Sequence, residues 1–302
     1  MPAEQSVTVQ VDGRQLRVSN LDKVLYPATE TTKGEVLNYY ARVAATLLPH
    51  LAGRPVTRIR WPHGVAGPSF FEKNLPSGAP PWLRFAELES SGSRGGGDRI
   101  RYPLVESTAA LTYLVNLASL ELHVPQWQLD RRGRPRNPDR LVIDLDPGAP
   151  AGLHECAELA LVVRDRLAAM GLPSAPVTSG SKGMQLYARV DGTRDADQIR
   201  ELARGIAQEL TRSRPDRVVW KMTKSLRPGK VLLDWSQNTA AKTTIAPYSL
   251  RGRDAPFVAA PRTWQEVERG AERPDALRQL LLEEVLDRLR ADGDLFAQLL
   301  QG

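Results

Sequence analysis

The sequence predicts an α/β protein in which helices pack on a central sheet, and two kinds of segment predict it. Apolar, strand-like runs occur over 141–146, 174–178 and 184–190. Segments with apolar residues at helical spacing alternate with them over 153–169 and 196–212. This alternation is typical of a sheet covered by helices, which we expect on one of its faces.

The elements before this core are predicted from local signals. Valines alternate with polar residues over 6–18, which indicates a strand hairpin. Thr32 and Glu35 match a capping box, so a helix is expected to begin there and to end near Gly53. A strand is expected to follow over 55–61.

Four further segments complete the predicted elements. The Gly- and Ser-rich segment 91–98 predicts a loop, and Ser107 is expected to cap a helix that runs to about Leu120. Strands are expected near 217–222 and 230–236, and a helix is expected over roughly 275–300.

Composition limits the cellular setting and the partners. The net charge of +6 fits a polyanionic partner. The single cysteine, Cys156, cannot form an intrachain disulfide, which suits a reducing cytosol. We find no signal peptide and no apolar run long enough for a membrane span, so no membrane partner is expected.

The most informative segment is 141–148, an apolar strand that carries two acidic residues. Asp144 and Asp146 are two positions apart, so both side chains project from the same face of the strand. Buried anions side by side are costly without positive charge, and a divalent cation such as Mg²⁺ or Mn²⁺ would supply it. Alternatively, this is a strand end at which both residues are solvated or cap the next helix.

Two further segments resemble parts of a phosphate site. Ser179 and Lys182 lie in a Gly-rich turn before a strand, where backbone N–H groups can bind anions, although an ordinary polar hairpin turn has the same composition. The turn does not have the Walker A spacing. Asp234 ends another apolar run. Together with Asp144 and Asp146 it suggests a two-metal nucleotidyl-transfer site.

These motifs resemble those of a known superfamily. D-L-D at 144–146, S-G-S-K-G at 179–183 and Asp234 resemble the three motifs of the archaeo-eukaryotic primases. Five longer strings resemble the polymerase domain of bacterial ligase D, the repair ligase of non-homologous end joining. They are DKVLYP at 22–27, FFEK at 70–73, HVPQW at 123–127, DWSQN at 234–238 and APYSLRGR at 246–253. The resemblance extends from about residue 6 to residue 298.

The resemblance implies a primase-polymerase fold, with an RRM-like mixed central sheet, flanking helices and an N-terminal α/β subregion. We expect a single domain over 1–302. Its parts would be an N-terminal subregion over about 1–125, a catalytic core over about 126–260 and a C-terminal helical segment over about 261–302.

The resemblance also assigns roles to residues at the expected active site. Asp144, Asp146 and Asp234 would be catalytic and would hold two Mn²⁺ or Mg²⁺ ions. The residues implied to bind the incoming NTP or dNTP are His123, Ser179, Lys182, Gln185, Gln237 and Arg251. The family prefers ribonucleotides and Mn²⁺.

A second group would bind DNA. Those implied to grip a downstream 5′-phosphate are Asn20, Lys23 and Lys33. Phe70 and Phe71 would stack on template bases, and Arg227 would contact the template. Since adjacent strand residues face opposite ways, we expect one of the two phenylalanines to be packed in the core.

Two positions depart from the family pattern. Gln185 stands where the second motif usually has His, so the nucleotide contact is expected to be weaker or to shift to Lys182, since Gln cannot carry charge. Ile59 stands where relatives often have Lys, so one phosphate contact is expected to be missing.

The segment 130–140 holds five arginines, which are either a solvated charge run or a DNA-backbone contact.

The sequence therefore predicts a metal-dependent, ribonucleotide-preferring polymerase that fills gaps and extends ends during break repair in the bacterial cytoplasm, near the nucleoid. Its expected partners are DNA ends and gaps with a 5′-phosphate, and nucleotides. The resemblance also implies Ku and a DNA ligase as protein partners. Ligase and nuclease activities are expected to come from other chains or from other parts of a longer protein, since no Lys-x-Asp-Gly motif occurs.

The alternatives are a polymerase of excision repair or priming, and a non-catalytic module that bridges DNA ends. The three retained acidic residues argue against a non-catalytic module. A metal-dependent phosphoesterase is disfavoured because only four histidines are present.

Overall fold

The computed structural model describes residues 6–89 and 99–300. The helices are α1 (Lys33–Leu51), α2 (Thr108–Asn116), α3 (Leu153–Ala169), α4 (Ala196–Ser213), α5 (Trp264–Glu272) and α6 (Leu282–Asp292). The strands of the first half are β1 (Ser6–Val11), β2 (Arg14–Ser19), β3 (Val24–Tyr26), β4 (Thr31–Thr32), β5 (Thr57–Arg60), β6 (Phe70–Glu72), β7 (Phe85–Glu89), β8 (Arg99–Pro103), β9 (Ser119–Val124), β10 (Trp127–Leu129) and β11 (Pro135–Pro138). Those of the second half are β12 (Arg140–Pro147), β13 (Ser174–Thr178), β14 (Met184–Arg189), β15 (Val218–Val219), β16 (Val231–Asp234), β17 (Thr244–Ile245), β18 (Phe257–Val258), β19 (Ala260–Pro261) and β20 (Leu280–Leu281).

The central sheet has the strand order β15-β16-β12-β14-β13-β19. Only the β15–β16 pair is parallel, so the predicted mixed sheet is confirmed. Alternate residues of β12 enter different cores. Leu141 and Ile143 pack in the core that contains α3 and α4, whereas Val142 packs in the core of the N-terminal layer. Because both faces of the central sheet are covered at β12, the strand has consecutive apolar residues over 141–143 instead of alternating apolar and polar ones.

A second layer covers the face opposite α3 and α4. It contains α1, α2 and a four-stranded sheet of order β17-β9-β5-β6. The capping box of Thr32 and Glu35 is confirmed at the start of α1. Strand β17, at 244–245, joins this sheet by pairing with β9, so the chain returns to the N-terminal layer between β16 and β19 of the central sheet. The predicted subregion boundaries stay a prediction.

Two predicted helix ends are wrong. Helix α2 ends at Asn116 rather than near Leu120, because Ala118 has a positive φ of 60° and Ser119 already begins β9. The predicted helix over 275–300 is only α6, which ends where Gly293 adopts a φ of 68°. The sequence reading missed α5, although Thr263 and Glu266 form a capping box at its start.

The other predicted elements differ only at their ends. The strand expected near 217–222 is the two-residue β15, and the run over 230–236 is β16 followed by a 3₁₀ turn at Trp235–Asn238. The predicted loop over 91–98 lies outside the described residues. Within the described ranges, no helix combines the length and the apolar character needed to cross a bilayer.

Candidate active site

Three acidic residues meet on the inner strands of the central sheet. Asp144 lies directly opposite Asp234 in the antiparallel pairing of β12 with β16. Asp146 lies two residues further along β12, so it shares a face with Asp144. The predicted grouping of the three carboxylates therefore follows from strand register.

Negative charge accumulates at this position. Burial, then Asp146 and Asp234, raises the pKa of Asp144 to about 8. The pKa of Asp146 is also raised, by partial burial and by Asp234, although nearby arginines and Lys182 oppose the shift. The residues present thus fit a divalent cation, which would stabilise the charged carboxylates.

Hydrogen bonds within the 3₁₀ turn already occupy Asp234. Its Oδ1 accepts from the backbone N of Ser236 at 3.0 Å and from the Ser236 hydroxyl at 2.5 Å, and its Oδ2 accepts from Gln237 Nε2 at 2.8 Å. Lys242 in turn donates to the Ser236 hydroxyl. Gln237, which was expected in the nucleotide pocket, thus holds a carboxylate in this structure.

The carboxylates do not form a finished metal cage. Among the described residues, no group of three or more His, Cys, Asp and Glu side chains is already arranged to hold a metal ion. Mg²⁺ is commonly bound by one or two carboxylates, with water and substrate phosphates as the other ligands. The arrangement suits a cation that is bound together with a triphosphate.

The Gly-rich turn lies against the acidic strand. A Cβ on Gly183 would come within 1.9 Å of the carbonyl oxygen of Leu145, so only glycine permits this approach. Gly180 has a positive φ of 68°, and a Cβ there would meet the side chain of Arg251 at 2.6 Å. The exposed Lys182 is close enough to Asp146 to lower its pKa by charge. The turn therefore brings Lys182 and backbone N–H groups to the carboxylates.

Gln279, which the sequence reading missed, braces this turn. Its Oε1 accepts from the backbone N of Gly180 at 2.7 Å, and its Nε2 donates to the carbonyl of Gly183 at 2.9 Å. Ser179 also donates its backbone N–H to the Gly183 carbonyl at 3.0 Å. The turn is thus held from both ends by one amide side chain.

Glu121 was also missed, and it ties together two predicted nucleotide-binding residues. Its Oε2 accepts from His123 Nε2 at 2.8 Å and from Arg251 at 2.9 Å. Its Oε1 accepts from the backbone N of Gly252 at 3.0 Å. Burial alone would raise the pKa of Glu121, but the His123 hydrogen bond and the Arg251 charge lower it to about 2. A charged residue inside the apolar run of β9 was the available sequence signal.

Gln185 is placed beside the acidic cluster. It is the cross-strand neighbour of Asp144 on β14, and its side-chain hydrogen bond to Asp144 lowers the pKa of that carboxyl. Its Oε1 accepts from the Tyr187 hydroxyl at 2.8 Å. Both ends of the Gln185 amide therefore have a partner within the protein.

The three residues expected at a 5′-phosphate come together at the start of α1. Lys23 donates its backbone N–H to the carbonyl of Asn20 at 3.1 Å, and Lys33 donates its own to the carbonyl of Lys23 at 2.8 Å. Asn20 and Lys23 are exposed, whereas Lys33 is buried and its Nζ donates to the carbonyl of Ser19 at 2.6 Å. Two of the three side chains thus face solvent.

Phe70 and Phe71 are both exposed, by 48% and 59%, so the expectation that one is packed in the core is wrong. They lie on β6, at the edge of the four-stranded sheet, where neither face is covered. Ile59, where the sequence analysis expected a missing phosphate contact, pairs with Phe71 on one side and with Glu121 on the other. Its partly buried side chain packs against the N-terminal core.

Arg227 lies on the loop that packs beside the end of β12. Its guanidinium donates to the carbonyl of Met222 at 2.8 Å, and its charge lowers the pKa of Asp146. A Cβ on Gly148 would come within 2.2 Å of the Arg227 carbonyl, which shows how closely this loop approaches the end of β12.

The arginine-rich segment divides into two parts. Four arginines lie on the exposed turn and outer strand of the β10–β11 hairpin, namely Arg131, Arg132, Arg134 and Arg136. Asp130 organises the turn by accepting from the backbone N of Arg132 at 2.8 Å and of Arg134 at 2.9 Å. The fifth, Arg140, is only 2% exposed.

Comparison with known proteins gives a consistent result. The family model described as LigD, primase-polymerase domain, matches residues 32–296. The multifunctional non-homologous end joining protein LigD of Mycobacterium bovis is 49% identical over 291 residues, which is 95% of this chain and 37% of that protein. The bifunctional LigD of Bacillus subtilis is 32% identical over 92% of this chain and 43% of its own length.

A solved structure matches across the whole fold. It is the polymerase domain of Mycobacterium tuberculosis ligase D in complex with DNA, which has a TM-score of 0.87 and 49% identity. The match covers 94% of this chain and 98% of that one. In contrast, the chain spans well under half of the length of the full LigD proteins.

Proposed function

The chain belongs to the LigD primase-polymerase domain family, and on that premise we propose that it fills short gaps and extends DNA ends during double-strand break repair. The family makes it a nucleotidyltransferase. We further propose that its reaction is template-directed, prefers ribonucleotides and depends on two Mn²⁺ or Mg²⁺ ions. The convergence of Asp144, Asp146 and Asp234 beside a Lys-bearing glycine turn is the observation that carries this proposal.

The proposed chemistry is in-line attack of a primer 3′-hydroxyl on the α-phosphate of an incoming nucleotide. The hydroxyl loses its proton, the new phosphodiester bond forms, the α–β phosphoanhydride bond breaks and pyrophosphate leaves. Bound divalent cations supply charge neutralisation at the triphosphate and a lower pKa for the 3′-hydroxyl. Asp144, Asp146 and Asp234 would hold these cations, and Asp234 would also orient the hydroxyl from across the strand pair. Its two oxygens would exchange part of their bonds with Ser236 and Gln237 when substrate binds.

The triphosphate would lie between the glycine turn and the Glu121 cluster. Lys182 and the backbone N–H groups of the turn contribute positive charge on one side. Arg251 and His123 contribute donors on the other, with Glu121 fixing their orientation. Gln185 would stabilise Asp144 and cannot replace a charged His at the phosphates.

DNA would be bound by two separate groups of residues. The exposed Asn20 and Lys23 suit a 5′-phosphate on the downstream side of a gap. Phe70 and Phe71 would stack on template bases, which is favourable for any base. The similar mycobacterial domain was solved with DNA. Ku and a ligase are proposed partners, because the relatives are multifunctional or bifunctional end-joining proteins.

The test is extension of a primer on a short-gap duplex with either a 5′-phosphate or a 5′-hydroxyl on the downstream strand. The salt concentration is that of the bacterial cytoplasm, which is the proposed location of the protein. We expect faster filling with the phosphate, and loss of that advantage in Lys23→Gln. The variant Arg212→Gln is the matched control, since Arg212 is an exposed cation on α4, which carries none of the residues proposed to bind DNA. Equal rates on both substrates would favour priming or another repair role, and no extension with intact DNA binding would favour a bridging module.

A further inference from the structure

A cavity of about 400 Å³ lies at the end of the central sheet away from the acidic cluster. Arg140, the first residue of β12, lines it, whereas Asp144 and Asp146 lie further along the same strand. The charged residues that line it are Arg54, Arg136, Arg140, Arg189, Asp139 and Asp191. Its volume is in the range of small-ligand pockets, which is about 300–1,000 Å³.

Two of these arginines have no polar partner among the residues that the structure describes. Arg140 and Arg189 are direct cross-strand neighbours on β12 and β14. Within the described ranges, neither side chain makes a hydrogen bond or an ion pair, and a buried guanidinium nitrogen of each lacks any partner. The guanidinium of Arg140 lies 5.5 Å from the ring centroid of Phe296. Like charges directly opposite on neighbouring strands are destabilising, so a bound anion between the two guanidinium groups would stabilise this pair.

Each acidic residue of the cavity already has one oxygen in a hydrogen bond, although Oδ1 of Asp139 is buried and has no partner among the described residues. Asp139 accepts from Arg54 at 2.5 Å, and Asp191 accepts from the backbone N and the hydroxyl of Thr193 at 3.0 and 2.7 Å. Arg54 is completely buried, and its Nε also has no partner. Burial, followed by the charge of Arg54, lowers the pKa of Arg140, although the charges of Asp139 and Asp294 oppose the shift. The cavity therefore holds more buried positive charge than its carboxylates neutralise.

We propose that this cavity is a second anion site, in which Arg140 and Arg189 bind a phosphate group. Guanidinium groups bind phosphate oxygens through paired, charge-assisted hydrogen bonds, and buried arginines without partners supply them at little further ordering cost. The phosphate is either a free anion or part of a nucleic acid. Arg136 belongs both to the cavity lining and to the exposed arginine hairpin, so positive charge is continuous from the surface to Arg140. The site is separate from the proposed nucleotide pocket.

The first arm of the test uses free phosphate. Sodium phosphate is titrated into the whole protein in the presence of a chelator, at constant ionic strength with chloride, while the melting temperature is followed. We expect a saturable rise for the wild type and for Lys182→Gln, which alters only the nucleotide pocket. In Arg189→Gln the apparent affinity should fall by about tenfold, as expected for the loss of a charge-assisted hydrogen bond. Arg189 is chosen because it is less buried than Arg140, and Arg140→Lys is the second variant.

The second arm uses DNA. If the phosphate belongs to nucleic acid, free phosphate will give no saturable rise in melting temperature. In that case Arg189→Gln will weaken duplex binding and reduce the slope of log affinity against log salt concentration by about one. Arg166→Gln is the control, because Arg166 lies on α3 and pairs with Glu209 at 2.8 Å. The proposal is overturned if Arg189→Gln and Arg140→Lys match the wild type in both arms. Neither arm depends on polymerase activity.

Discussion

Asp144 and Asp234 face one another as a directly opposed residue pair of β12 and β16. Opposed carboxylates repel, and Asp146 adds a third negative charge two residues away. Such an arrangement lowers stability unless the negative charge serves to bind something positive. The position of the Lys182 turn and of Arg251 beside it supports our proposal that a triphosphate and its cations bind in this region.

Glu121→Gln should raise the KM for nucleotide by about tenfold with a smaller change in kcat, because His123 and Arg251 lose the charged acceptor that orients them. Steady-state kinetics with a fixed primer-template would measure this. Glu87→Gln is the control, since Glu87 forms its ion pairs within the described part of the chain with Arg99 and Arg101 on the β7–β8 hairpin. An unchanged KM together with a lower melting temperature would assign Glu121 a purely structural role.

Glu121 should also contribute to acid stability. Its folded-state pKa of about 2 lies below the ordinary value of 4.5, so its stabilising contribution is fully present above pH 4.5 and is lost as the pH falls through 2. Unfolding in urea at several pH values should show a shallower pH dependence for Glu121→Gln over that window. Parallel curves for the two proteins would contradict this assignment.

Gln279→Ala should weaken nucleotide binding, although Gln279 itself is not among the residues proposed to contact the nucleotide. It removes one acceptor and one donor that hold Gly180 and Gly183, so the glycine turn becomes less ordered. We expect the KM for nucleotide to rise by roughly three- to tenfold, which corresponds to about 1 kcal/mol. Gln208→Ala on α4 is a control of similar exposure. The interpretation fails if both variants change the KM equally.

Replacing Phe70 and Phe71 with alanine should reduce the affinity for template DNA but not the stability of the fold. Both rings are largely exposed, so little apolar burial is lost, whereas base stacking on an aromatic ring contributes about 1–3 kcal/mol. Fluorescence anisotropy with a primer-template would measure the loss. Phe85→Ala, at 44% exposure on β7, serves as the comparison. A marked drop in melting temperature would instead indicate a packing role.

The exposed arginine hairpin should contact the DNA backbone. Changing Arg131, Arg132, Arg134 and Arg136 to alanine should weaken duplex binding and flatten its dependence on salt. The same four positions changed to lysine should keep most of the salt dependence, because the charge is retained. Binding of the alanine variant that equals that of the wild type at every salt concentration would exclude the contact.

The sequence predicted the parts of the site that depend on local pattern. Asp144 and Asp146 share a face because of strand geometry, and the glycines of the Lys182 turn are visible in the chain. The bracing contacts could not be predicted. Glu121 and Arg251 are 130 residues apart, and Gln279 is 99 residues from Gly180, so only the folded topology brings them together.

The predictions of helix ends and of side-chain exposure were wrong for a related reason. Helical spacing continues past Asn116, but a residue with positive φ and pairing with β5 convert the following segment into β9. Phe70 and Phe71 look like core residues because alternation normally buries one of two neighbours. Their strand lies at a sheet edge with both faces open, which the sequence does not reveal.

The most direct test of the central claim is single-nucleotide incorporation by the wild type and by Asp144→Asn, with Mn²⁺ or Mg²⁺, alongside DNA binding by the same proteins. The account predicts a loss of at least about 100-fold in the rate for Asp144→Asn, with DNA affinity unchanged, because a carboxylate that positions charge at the reacting phosphate is removed. Incorporation by Asp144→Asn at the wild-type rate would contradict the assignment of the acidic cluster as the catalytic centre.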